Sequence, residues 1–457
     1  MIARPSVRTA SKALRCLQCG QRRGYAAAAS GFNYQTGDSA GIKYASRDVP
    51  GQMTTLALVA KAGTRYEFLP GLAEGLEKFA FRNTERRSAL RIVRETELLG
   101  SEVYATHSRE TLSLNAKFLR KDLPYFMELL SEVAGKTQYL PYIFEEEVFG
   151  HIKFAQKNFL ANPEALALDS AHGVAFHRGL GSSIHPAASG PTSKYLDHAT
   201  ISAYASTAYA KSNIAVVANG ADNAEVGKWV GEFFGDYQVS PVQGAPQLSS
   251  SQSKYYGGEE RIAHAGGNAI VLGFSGSSSA TGGFYKPEVA VLAALLGGQS
   301  SIKWSSGFSL LSKAGLNYPS ASIKTKSHIY SDAGLLTVTI TGGAKDVAGV
   351  AFDAVKTLNA IAAGEFSNED FKKAVAYAKF AELEYGESQS AGVQLTGSGL
   401  VQGGKPYQIE ETSSAIGGVT SEKLKQAAKS ILEHKASVSA VGDLHLLPFA
   451  EELGLKV

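Results

Sequence analysis

The segment from Gly71 to Thr84 reads GLAEGLEKFAFRNT, and its centre has the spacing of an inverted zinc motif, H-x-x-E-H, without the zinc ligands. Such a motif needs two histidines one helical turn apart, with a glutamate beside them that polarises a metal-bound water. Here the two histidine places hold Glu74 and Lys78, and only Glu77 keeps its residue type. A lysine ammonium has no lone pair for a metal ion and adds positive charge where a dication would lie. The segment predicts a degenerate motif with no catalytic residue and no bound metal.

The flanking sequence has a defined order of strand and helix signals. A strand-like run, TTLALVAKAG from Thr54 to Gly63, precedes the segment, and GSEVYATHSRETLSLNAKFL from Gly100 to Leu119 follows it. The order strand, G-x-A-x-x-L-E-x-x-x-F-x-x-T, then A-x-x-S-R-E, resembles the pitrilysin (insulinase-like) peptidase family. That family includes the mitochondrial processing peptidase and the core proteins of the cytochrome bc1 complex.

The third zinc ligand of the active members of that family, a glutamate further along the chain, has no counterpart here. At the equivalent distance beyond Lys78 stand residues 151–155, HIKFA, which include no carboxylate. The nearby Glu145, Glu146 and Glu147 are better explained as the acidic first turn of a helix, where the helix dipole favours carboxylates. Because Glu74 and Lys78 are four residues apart, we expect them to form a helical ion pair.

The first 25 residues have the composition of an organelle import signal. They contain six of the 45 Lys and Arg and no acidic residue, and their basic side chains cluster on one face of a predicted helix. The stretch RRGYAAAAS resembles a mitochondrial matrix cleavage site, with Arg23 three residues before a cut between Tyr25 and Ala26. We therefore predict a presequence over residues 1–25. A basic tail that binds nucleic acid is the alternative, and the two-faced arrangement disfavours it.

Removal of this presequence changes the chemistry available to the chain. It would leave 39 Lys and Arg against 42 Asp and Glu, so a slightly acidic body is expected, with no nucleic-acid partner. The two cysteines, Cys16 and Cys19, would leave with it, and with them any disulfide or thiolate metal site. No apolar run reaches the roughly 18 residues of a membrane span, so no transmembrane segment is expected.

Internal repetition predicts two homologous halves. Strand-like runs in the first part of the chain recur at spacings of 214 to 223 residues in the second. We expect residues 26–237 to form an N-terminal half with the degenerate motif, 238–258 a linker, and 259–457 a C-terminal half. Alternating β-rich runs and long helical stretches predict an α+β fold, each half a mainly antiparallel sheet covered by helices. The family resemblance implies that the halves face each other as a clam shell.

One loop distinguishes the branches of the family. The non-catalytic alpha subunit of the processing peptidase carries a glycine-dominated run in its second half. The segment LGGQSSIKWSSGFSLLSKAG, from Leu296 to Gly315, keeps the position but not the glycine density. It is more similar to the core-protein branch.

That similarity implies a non-catalytic structural subunit of the mitochondrial ubiquinol–cytochrome c reductase, complex III, on the matrix side of the inner membrane. It implies core protein 1, cytochrome b, cytochrome c1 and the Rieske protein as partners in a dimeric complex. It also implies that haem and iron–sulfur centres belong to partner chains and that this chain binds no cofactor. Two alternatives stay open: a presequence-binding alpha subunit of the processing peptidase, and an active peptidase with an unusual site around Glu77.

Overall fold

The computed structural model of the chain describes residues 33–185, 195–237, 248, 252–299, 307 and 309–457. The predicted cleavage residues Arg23, Tyr25 and Ala26 lie outside this part. Most of the predicted linker and the centre of the loop from Leu296 to Gly315 also lie outside it. The presequence and the domain boundaries therefore stay predictions.

The described residues form two sheets and a set of helices. The strands are β1 Gln35–Ser39, β2 Ile42–Arg47, β3 Met53–Ala60, β4 Glu102–His107, β5 Leu112–Leu119, β6 Ile214–Asn219, β7 Gly258–Ala263, β8 Asn268–Ser275, β9 Ser322–Ile329, β10 Gly334–Gly342 and β11 Ser437–Gly442. The helices are α1 Leu72–Phe79, α2 Ala89–Leu98, α3 Leu123–Lys136, α4 Phe149–Ala161, α5 Pro163–Phe176, α6 His198–Ala208, α7 Asn223–Phe234, α8 Pro287–Leu296, α9 Leu310–Ala314, α10 Ala344–Ala363, α11 Asn368–Glu387, α12 Gln389–Gly403, α13 Ile409–Gly417 and α14 Ser421–Glu433. A short turn of helix and a π-helical segment, Phe144–Val148, lead directly into α4.

The two sheets repeat one topology. The first has the strand order β1-β2-β6-β3-β5-β4, and the second has β7-β11-β8-β10-β9. Apart from the additional β1, each strand of one sheet has a counterpart at the same place in the other. The pairs β2–β6 and β7–β11 are parallel, and the other pairings are antiparallel. The predicted α+β fold of two homologous halves, mainly antiparallel, is confirmed.

The central strands are apolar on both faces because helices cover both sides of each sheet. In β3, Leu56 and Leu58 belong to a core that α3 and α7 cover, whereas Ala57 and Val59 point to the opposite side. Leu58 pairs with Leu114 of β5 and Val216 of β6, which fixes the register in the middle of the sheet.

The opposite side of the first sheet is covered by a helix of the second half, which lies between strands β10 and β11 in the chain. Helix α12 packs on β3 and β6. The buried apolar residues at this contact include Ala57, Val59, Val217, Val393 and Leu400. Gly397 of α12 approaches so closely that an added Cβ would lie 2.4 Å from a methyl carbon of Val59.

The second sheet is covered in the same way by a helix of the first half. Helix α5 begins after Asn162, whose side chain accepts hydrogen bonds from the backbone N–H groups of Glu164 and Ala165. It packs on β8 and β11. The buried residues at the contact are Ala167, Ala171, Ala269, Val271 and Val441. Each half therefore completes the core of the other.

A buried ion network also joins the halves. The guanidinium of Arg65 donates to Glu110 Oε1 at 2.7 Å and to Asp332 Oδ2, in the β9–β10 turn, at 2.7 Å. The backbone N–H of Ser331 donates to the other oxygen of Glu110 at 2.9 Å. The Arg65 side chain is only 3% exposed, so this network fixes the β9–β10 turn against the first half with little solvent screening.

In the part of the chain that the structure describes, no single helix is both long and apolar enough to cross a membrane. Helices α10 and α11 have that combination only when taken together, and they bend by 107° at their junction.

The contact between α12 and β3 predicts opposite effects for two glycine-to-alanine substitutions. On helix propensity alone, each would stabilise its helix by about 1 kcal/mol. Gly397→Ala should instead lower the free energy of unfolding by roughly 1–3 kcal/mol, because the new Cβ meets Val59. Gly150→Ala in α4 is the control, since nothing lies within 4 Å of its added Cβ. Urea unfolding of both variants measures this, and equal stabilisation of the two would contradict the helix contact.

Candidate functional site

Helix α1 places the degenerate motif against the edge of the first sheet. It starts after Gly71, whose φ of 95° is in the left-handed region that glycine tolerates. Leu72, Leu76 and Phe79 are buried in the first core. The side chain of Glu74 is also fully buried. The carboxylate of Glu77 contacts His107 at the end of β4, so both carboxylates of the motif face the protein interior.

Glu77 is held by one imidazole and one ammonium. One of its carboxylate oxygens contacts Nδ1 of His107, the last residue of β4, and accepts the backbone N–H of the same residue at 3.2 Å. The other oxygen accepts from Nζ of Lys78 at 2.6 Å. Burial alone would raise the pKa of Glu77, but His107 and Lys78 outweigh it and lower the pKa to about 2. For His107, burial opposes the charged form, yet the contact with Glu77 outweighs it and raises the pKa. The pair is therefore an ion pair.

Glu74 has a different partner. Its Oε1 lies 3.0 Å from Nδ1 of His185, and its Oε2, also buried, has no hydrogen-bond partner among the described residues. The rings of His107 and His185 are 5.7 Å apart, edge to face. Two imidazoles from elsewhere in the chain thus face the two carboxylates of α1.

A third acid lies beside this group. The backbone N–H of Ala73 donates to Glu67 at 3.1 Å. Desolvation raises the pKa of Glu67 to about 8, so near pH 7 this carboxyl is mainly protonated.

The predicted ion pair between Glu74 and Lys78 is wrong. Lys78 turns to its neighbour Glu77, and Glu74 points into the interior toward His185. The physical reason is that a buried carboxylate needs a partner in the interior, whereas Lys78 keeps 28% of its side chain exposed.

The residues at the predicted place of the third ligand do not join the group. Residues 151–155 lie on α4, where Ile152 is buried and Phe154 is 64% exposed. Glu145, Glu146 and Glu147 lie in the first turn of the π-helical segment, as predicted, and Glu147 pairs with Arg82 at 2.6 Å.

The geometry limits what this site can do chemically. Nδ1 of each histidine faces a carboxylate, and Nε2 of His107 lies 3.0 Å from the carbonyl oxygen of Ile184. Within the described residues, no three His, Cys, Asp or Glu side chains are arranged to hold a metal ion. Glu77, the general base of an active site of this kind, is here the acceptor in an ion pair.

Sequence reasoning did not find the two histidines. His107 stands directly before the Ser-Arg-Glu motif at 108–110, which could have suggested that it lies at the end of β4 near α1. His185 is 111 residues from Glu74 in the chain, and no motif marks it.

The sequence pattern of the insulinase (M16) peptidase family matches residues 43–186, and that of the peptidase M16 inactive domain matches residues 195–377. The chain belongs to the insulinase-like M16 peptidase family. The Neurospora crassa protein named cytochrome b-c1 complex subunit 2, mitochondrial, is 53% identical over 95% of both chains. Its namesake in Yarrowia lipolytica is 34% identical over 92% of this chain and 97% of its own. A probable mitochondrial-processing peptidase subunit alpha-1 of Arabidopsis thaliana is 24% identical over 91% of this chain and 83% of its own.

The His107–Glu77 pair predicts a definite pH dependence of stability. Because folding raises the pKa of His107, its contribution is complete below the unfolded value of 6.5 and is lost as the pH rises through the folded pKa. Because folding lowers the pKa of Glu77 from 4.5 to about 2, its contribution is complete above 4.5 and is lost toward pH 2. The pair therefore contributes most between these two unfolded values.

We expect His107→Gln to destabilise the protein more at pH 5.5 than at pH 9, with a change of at most about 1.4 kcal/mol per pH unit for one proton. Urea unfolding of wild type and variant at both pH values measures the difference. His445→Gln, at an exposed histidine, is the matched control and should show no such difference. A His107→Gln effect that is constant with pH, or larger at pH 9, would rule out the ion pair.

Proposed function

We propose that this chain is a non-catalytic structural subunit of the mitochondrial ubiquinol–cytochrome c reductase, in the place of subunit 2, the second core protein. The observation that carries the proposal is the 53% identity to a protein of that name over 95% of both chains. Four further relatives of the same name, at 34%, 35%, 34% and 29% identity, cover 89% or more of this chain.

The absence of peptidase activity is part of this proposal. Its support is the chemistry of α1, where Lys78 stands at a ligand place and both carboxylates face imidazoles. A water that attacks a peptide bond needs a free base and a Lewis acid, and Glu77 in an ion pair with a lowered pKa is a weak base. The match to a domain described as inactive agrees with this.

The partners and the position that we propose are those of a core subunit: core protein 1, cytochrome b, cytochrome c1 and the Rieske protein, in a dimeric complex, on the matrix side of the inner membrane. The chain would be imported with residues 1–25 as presequence, cut between Tyr25 and Ala26. It would bind no cofactor, since its cysteines lie in that segment and the haem and iron–sulfur centres would belong to partner chains.

A presequence-binding alpha subunit is less well supported. The relative of that name is only 24% identical. A cavity of about 450 Å³ does lie between the edge of the first sheet and the start of α12. Its charged lining consists of one acidic and one basic residue, Glu102 and Lys117. A site for basic presequences is expected to carry an excess of carboxylates.

The proposed assembly predicts which proteins co-purify with the chain from a mild-detergent extract. A tagged copy should purify with haem-containing proteins, and the absorption spectrum of the product should show haem in a fixed ratio to the chain. Deletion of the chain should abolish the assembled complex, because obligate subunits contribute interfaces of thousands of Å². Purification with a zinc-bearing partner and no haem, or an active complex without the chain, would contradict the proposal.

The proposed inactivity predicts no cleavage of a presequence peptide by the purified chain. Wild type and Glu77→Gln should give the same background rate, measured by mass spectrometry of the peptide with and without a chelator. A rate that falls by about a hundredfold or more in Glu77→Gln, as removal of a general base causes, would show an active peptidase.

A further inference from the structure

The outward side of α11 carries exposed aromatic residues. Phe380 is 58% exposed and Tyr377 is 48% exposed. Three residues of this 20-residue helix are buried: Ala374, Ala378 and Gly386. Exposed rings with charged residues beside them are typical of an interface, where large rings supply most of the binding energy and charges form the rim.

Charges of opposite sign stand at the two ends of this face. At about 100° per residue, Lys373, Tyr377, Phe380, Glu384 and Glu387 share an arc of about 80°. Lys373 is seven residues before Phe380, and Glu387 is seven residues after it. We call these five residues the α11 face.

The carboxylates at the acidic end of the α11 face lack an ion-pair partner among the described residues, although the guanidinium of Arg47 donates to the backbone carbonyl of Glu387 at 3.4 Å. Neither Glu384 nor Glu387 forms an ion pair with any residue that the structure describes. The helix dipole disfavours carboxylates in a last turn, so these two residues would gain from a positive group supplied from outside. Lys373 pairs with Glu369 on its own helix at 2.6 Å, and this exposed contact is weak enough to be exchanged for another carboxylate.

We propose that the α11 face binds a second copy of this chain, with the two helices antiparallel about a two-fold axis at Phe380. In this arrangement Phe380 packs on its equivalent, and Lys373 of each copy lies opposite Glu387 of the other. A two-fold interface uses the same patch twice, so the patch must complement itself. The equal seven-residue spacing of opposite charges about one ring satisfies that condition. The inference rests on the proposed function only in that a dimeric complex would bring two copies together.

A different partner chain or a membrane surface fits the α11 face less well. A heterologous partner would not require charges placed symmetrically about Phe380. Anionic lipid would be repelled by Glu384 and Glu387.

Disulfide trapping at position 380 tests the axis directly. Helices that pack through a large central side chain lie near the upper end of the usual range, about 10 Å apart, so facing Cα atoms about 2.3 Å from each axis are separated by roughly 5 Å, within disulfide range. The background is Cys16→Ser with Cys19→Ser, which leaves no other cysteine. Phe380→Cys in the detergent-extracted complex should then give, on oxidation, a covalent homodimer. The matched control is Phe154→Cys on α4, at another exposed aromatic residue, which should stay monomeric.

Charge reversal tests the register. Lys373→Glu and Glu387→Lys should each lower the yield of the Phe380→Cys homodimer by roughly tenfold, the change expected for about 1.4 kcal/mol. The double variant should restore the yield, and Lys429→Glu, exposed on α14, should not change it.

No homodimer, a cross-link to a chain of different mass, or no rescue would overturn the inference. Haem proteins co-purifying without a homodimer would overturn it while leaving the proposed function intact. A homodimer without haem would support the inference and contradict the proposed function.

Discussion

One face of each sheet is apolar and has to be shielded from water. In this chain a helix of the other half covers that face. Helix α5 closes the second sheet and α12 closes the first, through alanine, glycine and valine contacts that allow close approach. A half cut from the chain would expose one apolar sheet face to water. The relation between the halves is therefore set by core packing, and the Arg65–Glu110–Asp332 network adds a directional constraint to it.

The site on α1 shows how the interior of the fold accommodates carboxylates through contacts with other side chains. Each acid of the motif faces an imidazole, and the positive charge that balances Glu77 comes from His107 and Lys78. A buried charge is acceptable when it is paired, so the ion pair takes over the electrostatic role of a cation at this position. The groups that would bind or activate water in an active member of the family are used here in internal contacts.

Much of the fold could be predicted from the sequence because strands with both faces buried are continuous apolar runs, and three of them recur at similar spacings of 214 to 223 residues. The runs at β3 and β8 are of this kind, and the sheets place them at equivalent positions. The packing of α5 and α12 on the sheet of the other half could not be predicted from the sequence. Small residues such as Ala171 and Gly397 indicate a close contact but do not identify the element that makes it. The motif residues Glu74, Glu77 and Lys78 were identified from spacing alone. Their partners were not, since His107 and His185 lie 30 and 111 residues away and reach the site only through the fold.

We propose that α1 offers no coordination sphere for zinc, because Glu74 and Glu77 face imidazoles and Lys78 stands at the place of a ligand. The most direct measurement is isothermal titration of zinc into the purified, metal-stripped chain near pH 7, with elemental analysis after dialysis. We expect no stoichiometric binding in the titration and far less than one zinc per chain after dialysis. One zinc bound per chain, lost on substitution of Glu74 at the place of a ligand, would contradict this expectation.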